Sequence, residues 1–139
     1  ATHPQNGASF GDLGETDQME IGAGQHGEGG GVRVPMASSK ETIATIGEPL
    51  CAKLGLQAGD KAFVMVNGCG ATTMMEMLVL FKDTVEFLKA KGIEVVGNMV
   101  GEILTVQEAA GFQMNIAKWD EETLELWNTP CHTPAYSKE

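Results

Sequence analysis

Residues 61–67, KAFVMVN, restrict the fold of this chain more than any other stretch. The run is apolar almost throughout and of strand length, the pattern of a strand covered on both faces at the centre of a sheet. Turn chemistry at Gln57-Ala58-Gly59-Asp60 precedes it. Gly68-Cys69-Gly70-Ala71-Thr72-Thr73 follows and opens into a long helix ending near Lys91-Gly92, in which Met74, Met77, Phe81, Val85 and Leu88 recur at spacings of three and four as one buried face. Residues 94–101 (EVVGNMVG) read as a second inner strand continuing to Leu104, and 105–110 as a turn or single helical turn. Phe112, Met114 and Ile116 then alternate with Gln113, Asn115 and Ala117, a strand with one wetter face that suits a sheet edge. Strands alternating with helices, some joined by short turns, predict an α/β fold: a layered helix-on-mixed-sheet domain.

The flanking segments complete the outline. Residues 1–17 are polar and glycine-rich and cannot bury enough surface to order themselves, so they read as a flexible linker or N-terminal extension ahead of one domain over 18–139. Met19 and Ile21 alternate with Glu20 and Gly22 as a short strand, and Val32-Arg33-Val34-Pro35 is extended. Ser38-Ser39-Lys40-Glu41 is a capping box that starts a helix with Ile43, Ile46, Leu50 and Leu54 as its core stripe. Gly47 and Pro49 are expected to break or kink that helix before Gly55 ends it. Residues 121–127 fit a short helix with Leu124 and Trp127 inward, and 129–134 a rigid extended tail.

Charge and cysteine usage exclude several function classes. With 9 basic against 19 acidic residues and a net charge of −10, the chain has no Lys/Arg stripe to displace counterions from a phosphate backbone, so no nucleic acid is expected as partner. Its three cysteines, Cys51, Cys69 and Cys131, are scattered and form no CxxC pair, which suggests neither a disulfide framework nor a zinc site. No apolar run reaches the roughly 18 residues of a membrane span, and no basic start leads into an apolar block. A cytoplasmic location and no membrane partner are expected.

Chemistry concentrates in MEIGAGQHGEGGG, residues 19–31, where the short strand runs into a glycine-rich loop carrying His26, Gly27 and Glu28. Glycines on every side let the backbone bend sharply and let a small molecule approach the imidazole closely. By residue type alone a loop histidine is more often solvated than catalytic. The strand, glycine turn and helix at 61–90 offer a second candidate, because amides at a helix N-terminus attract anions. The lysine of a GxxxxGK[ST] loop is missing there, so a tight packing turn and a ligand contact remain equal readings. Cys69 has no identifiable base partner and reads as a buried or half-buried thiol. The methionines read as core, His3 as a passive tail residue and His132 as structural or solvated.

MEIGAGQHGEGGG resembles the MEIGxGxHGEPG motif of the substrate-binding K subunit or domain of dihydroxyacetone kinases. Three further stretches resemble that family in the same order. GDKAFVMVNGCGATTMMEM is similar to GD.V..LVNNLGATP..EL, GNMVGEILTVQEAAGF to N.(I/V)G.Y.TSL.M.GF, and LELWNTPCHTPA to L.LWDAP..TPA. Four motifs in register cover nearly all of 17–136. The chain is thereby identified as a member of this family, similar to the second subdomain of its K domain.

What the resemblance implies is specific. The motif histidine, His26 here, would attack a substrate ketone through Nε2 to give a hemiaminal, with Gly27 and Glu28 beside it as substrate-binding residues. Such a bond accepts dihydroxyacetone, which has a carbonyl, and rejects glycerol, which has none. The anchored hydroxyl would then receive a phosphoryl group from ATP or ADP with Mg²⁺ held on a separate L subunit or domain, no cofactor or metal being bound by this chain. The family's K subunits dimerise, so a homo-oligomer is expected. A full K domain also carries about another domain's worth of sequence ahead of these motifs, with further acid/base groups, so activity is expected to need that N-terminal half and the L subunit. Departures are Gly29 for Pro, Gly68-Cys69 for Asn-Leu, Thr73 for Pro, and Val106 and Ala109 for Ser and Met. The change to Gly29 and the acidic composition leave a second reading, a non-catalytic relative that senses a small ketone or regulates a partner.

Overall fold

The computed structural model describes residues 17–24, 31–104 and 109–139. Strands β1 (Gln18–Ile21) and β2 (Val32–Pro35) form an antiparallel hairpin that leads into helix α1 (Ser39–Leu54). Strand β3 (Lys61–Gly68), helix α2 (Met74–Ala90), strand β4 (Glu94–Gly101) and strand β5 (Phe112–Trp119) follow. Helix α3 (Glu121–Asn128) and a small hairpin of β6 (Cys131–His132) and β7 (Ser137–Lys138) close the described chain.

β3 is the middle of a three-stranded sheet, as its continuous apolar run requires. It pairs parallel with β4, which only a crossover can achieve and α2 supplies, and antiparallel with β5, so the sheet is mixed. Ala62, Val64 and Val66 point from one face into a core shared with Ile43 and Cys51 of α1, Met77, Leu80 and Leu88 of α2, and Ile93. Burying the Val, Ile, Leu and Met side chains among these contributes about 1.5–3 kcal/mol each. The opposite face carries Phe63, whose ring stacks on Trp119 of β5 at 4.8 Å while Trp127 of α3 meets it edge-on at 5.1 Å. Gly97 of β4 lies beneath this pair: a Cβ there would stand 2.9 Å from the Trp119 ring and 3.1 Å from that of Phe63. The sheet is thus covered by two helices on one face and by an aromatic cluster under α3 on the other.

Several local expectations hold and several need correction. Both long helices begin with a complete capping box, Ser38 with Glu41 and Thr73 with Glu76, and Gly55 takes the left-handed conformation that ends α1. Pro49 lies inside α1, and neither it nor Gly47 ends the helix. Gly47 is buried because the Phe87 ring of α2 seats against it, and a Cβ there would come within 2.5 Å of that ring. The packed stripe of α1 is therefore Ile43, Gly47 and Cys51, with Thr42, and Leu54 faces outward. On α2 the buried residues are Met77, Leu80, Asp83, Thr84 and Leu88, and Met74 is exposed. β4 stops at Gly101 rather than running to Leu104, because the Asn67 side chain captures the backbone of 103 and 104 in a bend. The expected extended tail is the β6–β7 hairpin, in which Thr133 and Tyr136 close the turn. Of the expected linker, only Asp17 lies within the described residues, its carbonyl accepting from the Met36 amide at 2.6 Å.

Candidate functional site

The site residues expected from sequence, His26, Gly27 and Glu28, lie outside the described residues. The elements that bracket them are described. Ile21 pairs with Val32 at the last rung of the β1–β2 ladder, so the stretch containing His26 is the connection of an antiparallel hairpin. Gly22 leaves β1 with φ 85°, a backbone conformation in which glycine is favoured. On the far side the Glu20 carboxylate rests on the Cα of Gly31, and a side chain at 31 would collide with it. The hairpin is tied to the body at its base, where the Thr42 hydroxyl of α1 lies 3.8 Å from the Met19 sulfur. α1 starts four residues beyond β2, so the strand that follows the histidine stretch is anchored by a capped helix end.

The second candidate is built at the C-terminal ends of the parallel pair β3 and β4, the end where open α/β sheets carry their ligands. Its organising side chain is Asn67, fully buried as the apolar run gives way to the glycine turn. The Asn67 Nδ2 donates to the carbonyl of Leu104 at 2.6 Å and to Oε1 of Gln113 at 3.0 Å. Its Oδ1 accepts from the amides of Ile103 at 2.7 Å and Leu104 at 2.9 Å. One amide side chain thereby joins the ends of all three strands. Sequence reading passed over it as the last letter of an apolar run; a carboxamide at the mouth of a buried strand is itself the signal, since it must find partners there.

The glycine turn after β3 is closed by the chain's own groups. The Gly70 amide, on a residue with φ 96°, donates to Oε2 of Glu102 at 3.2 Å. The amides of Cys69 and Ala71 donate to the carbonyls of Gly111 and Ala109, and the Thr72 hydroxyl donates to Gly111 as well. A side chain at Gly68 would have to displace the Glu102 carboxylate and the Met77 sulfur. The start of α2 is capped internally by Thr73 and Glu76. This turn is a packing device in the described residues, and a negative side chain stands where an anion would approach. Burial pushes the Cys69 thiol up from its ordinary value and Glu102 adds to the effect, so it stays protonated and unactivated at neutral pH. His132 bonds through Nδ1 to the Ser137 hydroxyl at 2.8 Å within its exposed hairpin, a structural contact. Among the described residues no cluster of three His, Cys, Asp or Glu could hold a metal ion, and no helix is long and apolar enough to cross a membrane.

The helix-on-mixed-sheet unit with a glycine-rich hairpin connection defines a class that comparison with known proteins identifies. Residues 1–135 match the Dak1 domain, and the chain belongs to that family. It is 37% identical over 136 residues to "PTS-dependent dihydroxyacetone kinase 1, dihydroxyacetone-binding subunit DhaK" of Listeria innocua, covering 97% of this chain and 41% of that subunit. The fold matches that of a solved "Dihydroxyacetone kinase operon co-activator Dha-DhaQ" with a TM-score of 0.83 at 24% identity, over 93% of this chain and 40% of that one. A second solved chain, titled "Regulation of the dha operon of Lactococcus lactis", gives a TM-score of 0.75 at 25% identity over 86% of this chain and 37% of that one. The chain thus spans about two-fifths of the length of the curated relatives it matches.

Proposed function

We propose that this chain is a substrate-binding part of a dihydroxyacetone kinase and that His26 holds the ketone as a hemiaminal. The observation that carries the reading is the identity of 37%, across nearly the whole chain, to a subunit named for binding dihydroxyacetone. The Nε2 lone pair forms a bond to the carbonyl carbon, and the carbonyl π pair moves to oxygen, which takes a proton while the imidazole gives up the one on Nδ1. In this reading the missing side chain of Gly27 would leave room beside the ring, and the Glu28 carboxylate would accept from a substrate hydroxyl. The free terminal hydroxyl is then held for in-line transfer from ATP or ADP with Mg²⁺ on a separate L subunit, a positioning effect. In this reading the chain works in the cytoplasm, as part of a dimer, with the portion of a K-type subunit that it does not span.

The test is native mass spectrometry of the chain co-produced with the remaining portion of the Listeria relative, with and without dihydroxyacetone. The expected result is a gain of one ketone that glycerol does not give and that His26→Ala abolishes. An unchanged gain in His26→Ala overturns the assignment. A second reading, a regulatory relative that binds a ketone without phosphorylating it, is favoured by the solved chain titled for operon regulation. Phosphoryl transfer on adding the L subunit excludes it.

A further inference from the structure

We infer that the first two turns of α2, with the end of β4 beside them, form the surface on which the rest of a K-type subunit packs. Met74, Met75, Leu78 and Val79 are exposed by 50, 76, 50 and 47%, and Ile103 and Leu104 by 45 and 57%. Positions 74, 75, 78 and 79 share one helix face. The same face turns charged from the third turn on, where Lys82 pairs with Glu86 at 3.3 Å and Glu86 with Lys40 at 3.5 Å. Ile103 and Leu104 belong to the same end of the molecule, because the neighbouring Glu102 reaches the turn that starts α2. An apolar patch of this extent with a charged border marks an interface rather than scattered surface residues.

The identity of the occupant follows from length. In the relatives that share this unit about three-fifths of the length lies outside it, and that polypeptide is the occupant the patch would receive. One sheet face is already under α1 and α2, and Trp127 of α3 packs on the other. The patch on α2 gathers six of the eleven large apolar side chains exposed among the described residues, and it borders the sheet end held together by Asn67. The inference rests on the reading that the chain works within a K-type assembly, and not on the chemistry of His26.

The experiment co-expresses the tagged chain with the remaining portion of the Listeria innocua subunit and reads composition by native mass spectrometry. Met75→Glu/Leu78→Glu is compared with Leu126→Glu, a charge placed on an exposed residue of α3. Circular dichroism and thermal midpoints of the chains alone confirm that both variants fold. The expected result is a wild-type complex, kept by Leu126→Glu and reduced at least tenfold in the double variant. A complex that survives the double variant overturns the surface and leaves the K-type reading intact. No complex with the wild type overturns both. A dimer of the chain alone that the double variant disperses assigns the patch to a second copy, which also overturns the inference.

Discussion

Asn67 shows how much one polar residue can determine. Its carboxamide is sealed from water and uses donor and acceptor together, so its removal takes a partner at one stroke from the amides of 103 and 104, the Leu104 carbonyl and the Gln113 side chain. Leaving a buried group unsatisfied costs about 1–3 kcal/mol. Asn67→Ala is therefore expected to lower stability by about 2–4 kcal/mol in urea denaturation followed by circular dichroism. A loss below about 0.5 kcal/mol, the range of neutral surface changes, would show that the bend at 103–104 holds without it. Gly47 makes the complementary case. Gly47→Ala drives a methyl into the Phe87 ring, and overpacking of this kind typically costs about 1–3 kcal/mol. A variant as stable as the wild type would mean that Phe87, which is only half-buried, swings aside.

At the scale of elements, α1 and α2 meet over a buried carboxylate. Asp83 is 5% exposed on α2, with the Lys82 ammonium 2.9 Å away. Burial pushes its carboxyl up, but the Lys82 ammonium beside it and the Lys40 charge on α1 outweigh that and hold it below the ordinary aspartate value. A carboxylate with a depressed folded value stabilises the fold above its unfolded pKa, about 3.9, and that contribution is lost as pH falls through the folded value. Acid titration below about pH 4 should therefore loosen the α1–α2 contact, and Asp83→Asn should weaken the fold at neutral pH while flattening this acid limb. An acid limb that is unchanged in Asp83→Asn assigns it to other carboxylates. The elements were legible in the sequence where the signal is local: a run too apolar for a wet strand at β3, hydroxyl and glutamate three apart at two helix starts, and Gly55 at a helix end. What escaped depends on distant neighbours. The buried stripe of α1 is turned toward Gly47 because Phe87 arrives from another helix, and residues 131–138 pair because Tyr136 and Lys138 both reach Trp127. The reading of His26 rests on resemblance and lies outside the described residues, and the β1–β2 hairpin that brackets it was legible only in part, since Ile21 pairs with a residue eleven positions on.

Among the described residues, pairing and burial thin out from the middle strand outward. β3 is flanked on both sides and sealed on one face, whereas β1–β2 and β6–β7 are each two-stranded and lean on the body at few points. Two-stranded ribbons have little stability of their own, and opening begins where buried contacts are fewest. Hydrogen exchange should therefore find the amides of Val64 and Val66 among the last to exchange and those of both hairpins among the first. Equal protection in β1–β2 would place that hairpin within the main cooperative unit, and would imply that the His26 connection is presented by a rigid support even before substrate arrives.

The aromatic cluster has a practical consequence for anyone watching this protein in solution. Its two indoles, Trp119 and Trp127, are the only ones in the chain, and their ring centres lie 5.4 Å apart with Tyr136 alongside. Excitation of one is shared with the other, so the intrinsic emission is a single optical signal of the contact between α3 and the sheet. It will follow melting of that corner faithfully and be blind to the hairpin that carries the histidine. An emission change on adding a ketone would therefore report a disturbance carried to that corner, and a flat spectrum would leave binding at His26 entirely open to mass or isotope detection.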